Sequence, residues 1–518
     1  MFKGESHMSG YNILVILYVT FGAFFYGYDS ALTTSIFGYP QFIEFFNLDA
    51  VKLGAIGSCY YAGLTVGCIW NWWFPNKYGR LNDIRLACVI SIIAASIQTG
   101  AQSFSMLLAG RVVGGLSCGI VFSICPTYAS EIAPPSLRGR VGAFYNLILS
   151  SSYAVTEWMG LGLSYVSGNA AWQIFIGLQL IAPVLMLVGS FFLHESPRYL
   201  VLKDRHDEAL QVLQKMHGGD TDDKTFYLRE FHQIKTQLAL EKEQQISIKT
   251  IFTKKSYRFR FLLITIVGSM AMLTGVIALQ NYQYFIYTSL GITNKTALAL
   301  AGVWGTVLLP AIMIGGYFFD KIGRKNSVYV SLAIVMTAST MLTVCWARYS
   351  ASGNTNKAAG HAAVFSMFLF IFGYSWIMNA MQFTYPAEIC PANIRHIGSA
   401  YVQTVGNIWI IIIVQVAPIA IDAIGWKFFM IFLFFDLINL FLVIFLFPET
   451  NQKTLEEIAA LFGDEITETI DEAGKHLDDL KEFTVAAEEL GNRGNITEIV
   501  EDNVKSVGPV NIDHVEKV

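Results

Sequence analysis

Charge is what this chain has least of. Asp, Glu, Lys and Arg make up 14% of its 518 residues, against about a quarter in a typical soluble domain. That scarcity excludes an ordinary soluble domain of this length; a net charge of −4 says little about partners, and no nucleic-acid partner is expected. Cysteine is sparse and unpatterned. Cys59, Cys68, Cys88, Cys118, Cys125, Cys345 and Cys390 lie in or beside apolar runs, without the spacing of a metal site or a disulfide framework. There is no nucleophile–base constellation, phosphate loop or metal cluster in the pattern, so no enzyme, cofactor or metal is expected. No cleavable signal is expected either: the first apolar run is too long and lacks a small-residue cleavage site.

What is there is apolar. Hydrophobic residues make up 54% of the chain, and they gather into runs that approach the roughly 20 residues a helix needs to cross a bilayer. Twelve such runs lie near 12–32, 53–73, 86–104, 106–128, 142–164 and 172–193, then 261–287, 297–319, 327–347, 362–385, 398–421 and 427–447. They predict an all-α membrane protein. Two blocks of spans, 12–193 and 261–447, are separated by a polar middle loop at 194–260 and flanked by an N-terminal segment at 1–11 and an acidic tail at 448–518.

Lysine and arginine orient the spans. Lys52, Lys295, Arg348, Lys357 and Lys427 fall on one side, Arg111 falls within a span, and all others lie on the side of the N-terminus. Both termini are therefore expected in the cytoplasm, with the cell membrane as the location. The sequon Asn294-Lys295-Thr296 then faces outward, where it is either glycosylated or left unused close to the membrane, while Asn495-Ile496-Thr497 stays inside. In the middle loop, Ala209, Leu210, Leu213 and Met216 share one face of an expected helix at 204–216. Thr454 to Glu457 reads as a capping box, and the segment from 464 onward as disordered.

A short motif occurs twice. Glu131-Ile132-Ala133-Pro134 followed by Arg138 reappears half a chain later as Glu388-Ile389-Cys390-Pro391 followed by Arg395. Lys77 to Arg80 is matched by Lys321 to Arg324, and Glu195-Ser196 by Glu449-Thr450. A repeat at this distance indicates two duplicated halves that move against each other, as in secondary transporters. The repeated charges, Arg80, Glu131, Arg138, Glu195, Asp320, Arg324, Glu388, Arg395 and Glu449, either mark topology or form an ion-pair belt. Such a belt holds the halves together when a cavity opens outward and breaks when it opens inward. Three pairs in register favour the belt.

These motifs, with Gly27-Tyr28-Asp29, Gly110 to Gly114, Pro126-Thr127-Tyr128, Glu195 to Arg198, Asp320 to Arg324, Tyr385 to Glu388 and Pro448-Glu449-Thr450, resemble the sugar porter branch of the major facilitator superfamily, in its fungal style. The resemblance spans roughly residues 20–460. It implies twelve transmembrane helices in two pseudo-symmetric six-helix bundles (the major facilitator fold), a central solute site and alternating access. One departure is Asn76, where the family usually has an acid.

Asp29, deep in the first span, is costly there and a functional candidate by default. The resemblance implies that it works with Arg111 in proton coupling; the alternative is a permanent ion pair in a facilitator. Glu157 either lines an outer vestibule or caps a solvated helix end, and Asp436 in the twelfth span has no assigned role.

Sugar sites need amides that both donate and accept, plus an aromatic face. The family's seventh-span Gln-Gln-x-x-Gly-x-Asn aligns with Ala271 to Ile277, which lacks all three amides. The tenth-span tryptophan is Phe383, the preceding Gly-Pro pair is Asn379-Ala380, and the eleventh-span Asn-Trp pair is Gly406-Asn407. On the fifth span, Asn146 and Tyr153 stand where family glutamines would. Gln280, Asn281, Gln382 and Gln403 either compensate in the cavity or bond between helices. Each lost partner costs a polyhydroxy ligand on the order of 1–3 kcal/mol, so a less hydroxylated solute fits better than a common hexose. The expected function is proton-coupled transport of a sugar, polyol or related metabolite through the bilayer. An exporter of a non-sugar metabolite is the alternative and a nutrient sensor a weaker third.

Overall fold

The computed structural model describes residues 10–133, 137–217, 226–243, 253–391, 394–450, 458 and 461–463. Two units divide the chain at Gln452, and the second, Lys453–Val518, includes only four of the described residues. The capping box at 454–457, the tail from 464 and the sequon at Asn495 lie outside the described residues.

Twelve long helices dominate the first unit. They are α1 (Gly10–Ile36), α2 (Ala50–Trp70), α3 (Arg80–Thr99), α4 (Phe104–Ile132), α5 (Arg138–Leu163), α6 (Ala170–Ser190), α7 (Lys255–Ser289), α8 (Asn294–Ile322), α9 (Arg324–Ala351), α10 (Lys357–Ile389), α11 (Arg395–Ile424) and α12 (Phe428–Leu446). Ten stretches among the described residues are long and apolar enough to cross a membrane. One of them, Ile397–Leu446, holds both α11 and α12, parted by a tight turn at Gly425–Lys427. The helix left out is α5, whose Ser150, Ser151, Ser152, Thr156 and Glu157 make it too polar by composition. A polar helix survives at membrane depth only when it faces protein or a watery cavity. Phe445, Phe192 and Phe191, exposed by 78%, 74% and 68%, are by contrast where a lipid surface is expected.

Several helices begin earlier than the apolar runs. Helix α3 starts at Arg80 rather than near 86, and α9 at Arg324 rather than near 327. Each follows a glycine in a conformation that L side chains rarely adopt, Gly79 at φ 106° and Gly323 at φ 90°. Helix α2 stops at Trp70, leaving Trp72 and Trp73 in an exposed turn. Helix α7 is broken: Lys255–Leu273 ends at Thr274, Gly275 takes φ 89°, and Val276–Ser289 resumes, bending again at Tyr282. Helix α10 widens into a π turn at Tyr374–Met378.

We call the face on which α1 begins the near face, and the opposite one the far face. Within the first half, α2 and α4 pack most closely. A Cβ at Gly63 or Gly67 on α2, or at Gly115 or Gly119 on α4, would lie 2.0–2.2 Å from a carbonyl oxygen of the partner helix. Without a hydrophobic drive in lipid, such small-residue stripes are what let helices approach. In the middle loop, helix His206–His217 buries Ala209, Val212, Leu213 and Met216, whereas Leu210 stays partly open. The expected face is thus rotated slightly toward Val212. Helices Pro197–Leu202 and Phe226–Glu243 complete the described part of that loop.

Candidate functional site

On the near face the repeated motifs build two copies of one cluster. Arg80 donates from Nη2 to Glu131 Oε1 at 2.8 Å and from Nε to Oε2 at 3.0 Å. Glu195 accepts from the backbone amides of Arg80 (2.9 Å), Leu81 (3.2 Å) and Ser196 (3.0 Å), and Ser196 Oγ donates to Glu131. In the second half, Arg324 donates to Glu388 Oε1 from Nη2 (2.8 Å) and Nε (3.1 Å). Glu449 accepts from Arg324 N (3.0 Å), Lys325 N (2.9 Å) and Thr450 N (3.0 Å), and Thr450 Oγ1 donates to Glu388 at 2.6 Å. Glu195 and Glu449 therefore cap the first turns of α3 and α9, where orphan amides and the helix dipole favour an anion. Burial pushes the Glu195 carboxyl above the usual carboxylate range, and the amides of Ser196, Leu81 and Arg80 pull it back.

Among the described residues, the Arg80–Glu131 and Arg324–Glu388 pairs each lie within one half. Arg395 donates from Nε to Cys390 O at 3.4 Å. The side chains of Arg138 and Asp320 lie outside the described residues.

At mid-depth, Arg111 Nη1 lies 3.5 Å from Asp29 Oδ1, with both side chains almost fully buried. Cys118 donates its thiol to Asp29 Oδ2 at 3.0 Å. The ion pair is a single long contact rather than a two-pronged grip, and it joins α1 to α4 inside the first half.

The next residue on α1, Ser30, points elsewhere. Tyr153 donates to Ser30 Oγ at 2.9 Å, and Tyr61 lies 3.4 Å from the same oxygen. Gln280 lies near the Tyr153 hydroxyl and Asn281 near the Tyr61 hydroxyl, and Asn281 donates from Nδ2 to Ile277 O at 3.0 Å. Tyr26, one turn before Ser30, packs its ring 4.5 Å from that of Phe122. Helices α1, α2, α4, α5 and the broken part of α7 thus converge on a cluster of phenols, two amides and one serine. Tyr26, Phe122, Tyr153 and Gln280 are only partly buried, as befits groups lining a space.

The structure brings Tyr153, Gln280 and Asn281 together. It does not bring Asn146, Asn379, Gln382, Phe383, Gln403 or Asn407 into hydrogen-bonded contact with them among the described residues. Asn146 and Phe383 are exposed, and Gln382 donates to Asn379 on its own helix at 3.3 Å. Tyr26, Ser30, Tyr61 and Phe122 are absent from the sequence-based set. The available signal was helical spacing, since Tyr26 and Ser30 flank Asp29 one turn apart.

The halves meet on the far side. Ser58 on α2 donates to Gln415 on α11 at 2.7 Å. Thr34 on α1 donates to Gln280 O at 3.0 Å, and the Phe37 ring stacks on Tyr282 with centroids 5.9 Å apart. Trp158 on α5 donates to Thr306 on α8 at 3.0 Å. Glu157 is the correction here. It is neither vestibule-lining nor a solvated cap but 1% exposed, accepting from Gln283 Nε2 at 2.9 Å and from Gly305 N at 3.2 Å. Asp436 is fully buried in α12, and its oxygens and Asn439 Nδ2 make no hydrogen bond among the described residues; nothing in the structure explains it. Asn294, of the first sequon, opens the first turn of α8 on the far face.

Two repeated helical halves, a polar cluster at mid-depth and far-side contacts between the halves are the arrangement of a membrane carrier of the alternating-access class. The chain belongs to the family described as sugar (and other) transporters, whose model matches residues 15–462. It is 30% identical to MFS-type transporter criB of Aspergillus cristatus over 86% of this chain and 92% of that one. It is 28% identical to the high-affinity glucose transporter of Kluyveromyces lactis over 93% and 90%, and 25% identical to the quinate permease of Emericella nidulans over 84% and 85%. Its fold is similar to the inward-open xylose transporter XylE of E. coli, with a TM-score of 0.72 at 18% identity, covering 87% of this chain and 100% of that one.

Proposed function

We propose that the protein is a proton-coupled importer of a small, sparsely hydroxylated relative of the sugars, with the near face in the cytoplasm of the cell and the far face outside. The observation that carries this reading is the adjacency of Asp29 and Ser30. One helix turn presents a buried acid to Arg111 and, from the next residue, a hydroxyl to Tyr61 and Tyr153. Neutralising Asp29 releases Arg111, and the strain of that release reaches α1 at the position where solute binds. Proton and solute thereby act on one helix that packs against both α4 and the broken segment of α7.

The solute class follows from what lines the cluster. Three phenols and a phenyl ring dominate, and the amides are two, Gln280 and Asn281. Phenols stack and offer one hydroxyl as donor and acceptor; they do not hold donor and acceptor on two separate atoms, as an amide does for a ring of adjacent hydroxyls. Relatives that carry glucose and quinate in their names fit a family in which this lining sets specificity. The near-face charge clusters act as a second gate: they close toward each other when the far side opens, with Arg138 and Arg395 as bridging groups.

The test is uptake in proteoliposomes under an imposed proton gradient, with glucose, quinate and less hydroxylated analogues as labelled solutes. Uphill accumulation that collapses with an uncoupler, and that is lost in Asp29→Asn while counterflow exchange persists, supports the reading. Accumulation unchanged in Asp29→Asn, or robust glucose uptake, defeats the coupling or the solute assignment respectively.

A further inference from the structure

Glu157 sits where the coupling pair cannot reach it, and its surroundings are unusual for a carboxylate. It projects from α5 across the seam between the halves, and both of its oxygens accept hydrogen bonds from the opposite half, one from Gln283 on α7 and one from the backbone of Gly305 on α8. A Cβ at Gly305 would lie 2.7 Å from Glu157 Oε2 and 2.7 Å from Ala154 Cα, so the cradle is closed around the carboxyl. The groups facing it are few. Helix α7 offers Gln283 and Tyr287, whose hydroxyl lies 3.4 Å from Gln283 Oε1. Helix α8 offers the Gly305 amide, and on α5 the titratable residue one turn before is Tyr153, whose hydroxyl donates to Ser30. The cation nearest in sequence on α8, Lys295, lies over the Tyr165 ring at 4.1 Å. Among the described residues, no Lys, Arg or His pairs with Glu157.

We propose that Glu157 is a proton-operated latch on the far-side gate. When the far side opens, α5 parts from α7 and α8 and the carboxylate is hydrated. Closure strips that water away and supplies only two neutral donors, which do not repay the cost of burying an unpaired charge. Closure therefore goes with uptake of one proton from the far side, Glu–COO⁻ plus H⁺ giving Glu–COOH, and reopening returns that proton to the same side. Glu157 is thus a latch and not a carrier: it biases the gate without adding to the protons moved per cycle. Because proton binding and closure are linked, the ratio of far-closed to far-open protein changes by up to about tenfold per pH unit across the titration of this group. The proposal rests on alternating access in this family and not on coupling through Asp29.

The experiment places spin labels at Gly168→Cys and Thr355→Cys, on far-side loops of the two halves, with Cys59, Cys68 and Cys345 replaced by serine. Distances are measured by pulsed electron resonance in liposomes at mildly acid and mildly alkaline pH. The expected result is a far-closed population that grows on acidification, and that is large and independent of pH in Glu157→Gln, which mimics the neutral acid. Gln283→Met, which removes one donor but keeps the volume, shifts the population toward far-open while retaining the pH response. A distribution that ignores pH in the unmodified gate, or a Glu157→Gln protein that follows pH as before, overturns the proposal. Asp29→Asn should leave the pH response of the seam in place, and Glu157→Gln should keep proton-driven accumulation. Loss of accumulation in Glu157→Gln makes Glu157 a coupling group and overturns the latch.

Discussion

Arg80 and Arg324 are structural counterparts: each donates from Nη2 to a glutamate at 2.8 Å, and each has its backbone amide capped by a second glutamate. The two are not equally sealed. Side chains in the Arg80–Glu131 pair are 7% and 8% exposed, those in the Arg324–Glu388 pair 13% and 21%. Removing one partner of a buried pair leaves an uncompensated charge, at a cost of about 3–5 kcal/mol for full burial. Arg80→Ala is therefore expected to lower thermal stability in detergent more than Arg324→Ala, and Glu131→Gln to be costly as well, because it leaves the Arg80 charge without its counter-ion and turns one acceptor oxygen into a donor. Equal losses in the two halves would mean that exposure does not set the cost.

The α2–α4 contact gives the clearest packing test. At Gly115 a Cβ would lie 2.0 Å from Tyr60 O, a backbone atom that no rotamer change can move. Gly115→Val is expected to push the helices apart, costing about 1–3 kcal/mol or more and lowering the yield of folded protein. Gly142→Val is the control, since nothing lies within 4 Å of its Cβ. Size-exclusion profiles and melting temperatures of the two variants should diverge; similar behaviour would remove the close approach as a determinant of the fold.

Specificity is tested at Tyr153. Its hydroxyl donates to Ser30 at 2.9 Å, so it fixes the one serine of the cluster. Tyr153→Phe keeps the ring and removes one hydrogen bond, a loss of about 0.5–1.5 kcal/mol. The expected outcome is a several-fold rise in KM for the transported solute with a nearly unchanged maximal rate. A fall in rate at constant KM would place Tyr153 in the conformational step instead of the site.

Much of this architecture is legible in the sequence because membrane helices announce themselves by length and apolarity, and the repeated charges announce the duplication. What hides is whatever depends on polar groups satisfied in three dimensions. The start of α3 looks like a loop because Arg80 is charged, and only Glu131 and Glu195 make it compatible with a helix end. The break in α7 leaves just Gly275 as a trace. Glu157 cannot be told from a helix cap until Gln283 and Gly305 are seen to enclose it. For the solute cluster, the family's pattern points to amide positions, whereas the hydroxyls and rings of Tyr26, Ser30 and Tyr61 on α1 and α2 make up much of the cluster.

The near-face loop supplies a pH prediction. His194 lies against Tyr11 at the start of α1, its Nδ1 2.5 Å from the Tyr11 hydroxyl, while Lys215 covers the Tyr11 ring at 4.4 Å. Partial burial first, and the Lys215 charge second, hold the His194 imidazole below its ordinary value. The folded protein thus favours the neutral ring. Its contribution is fully present above the ordinary histidine value and is lost as pH falls through the lowered one. Hydrogen exchange in helix His206–His217 should therefore quicken on mild acidification, after correction for intrinsic rates, and His194→Gln should abolish that change. A helix equally protected at both pH values would show that His194 does not tie the loop to α1.

The far-side seam can be locked. An ideal Cβ on Gly57 of α2 lies 3.8 Å from the Val414 Cβ on α11, inside the roughly 3.5–4.5 Å range that a disulfide spans. Gly57→Cys with Val414→Cys, in a background where the neighbouring Cys59 is serine, should oxidise readily and hold α2 against α11. Because α2 and α11 belong to different halves, the cross-link fixes the far side shut while leaving the near side free. Transport is expected to stop under oxidant and to recover when the disulfide is reduced, with labelling of a single cysteine introduced on the near face, such as Gly142→Cys, continuing throughout. Transport that persists through complete cross-linking would mean that α2 and α11 stay together during the cycle, and the halves would then have to separate along α5 and α8 alone.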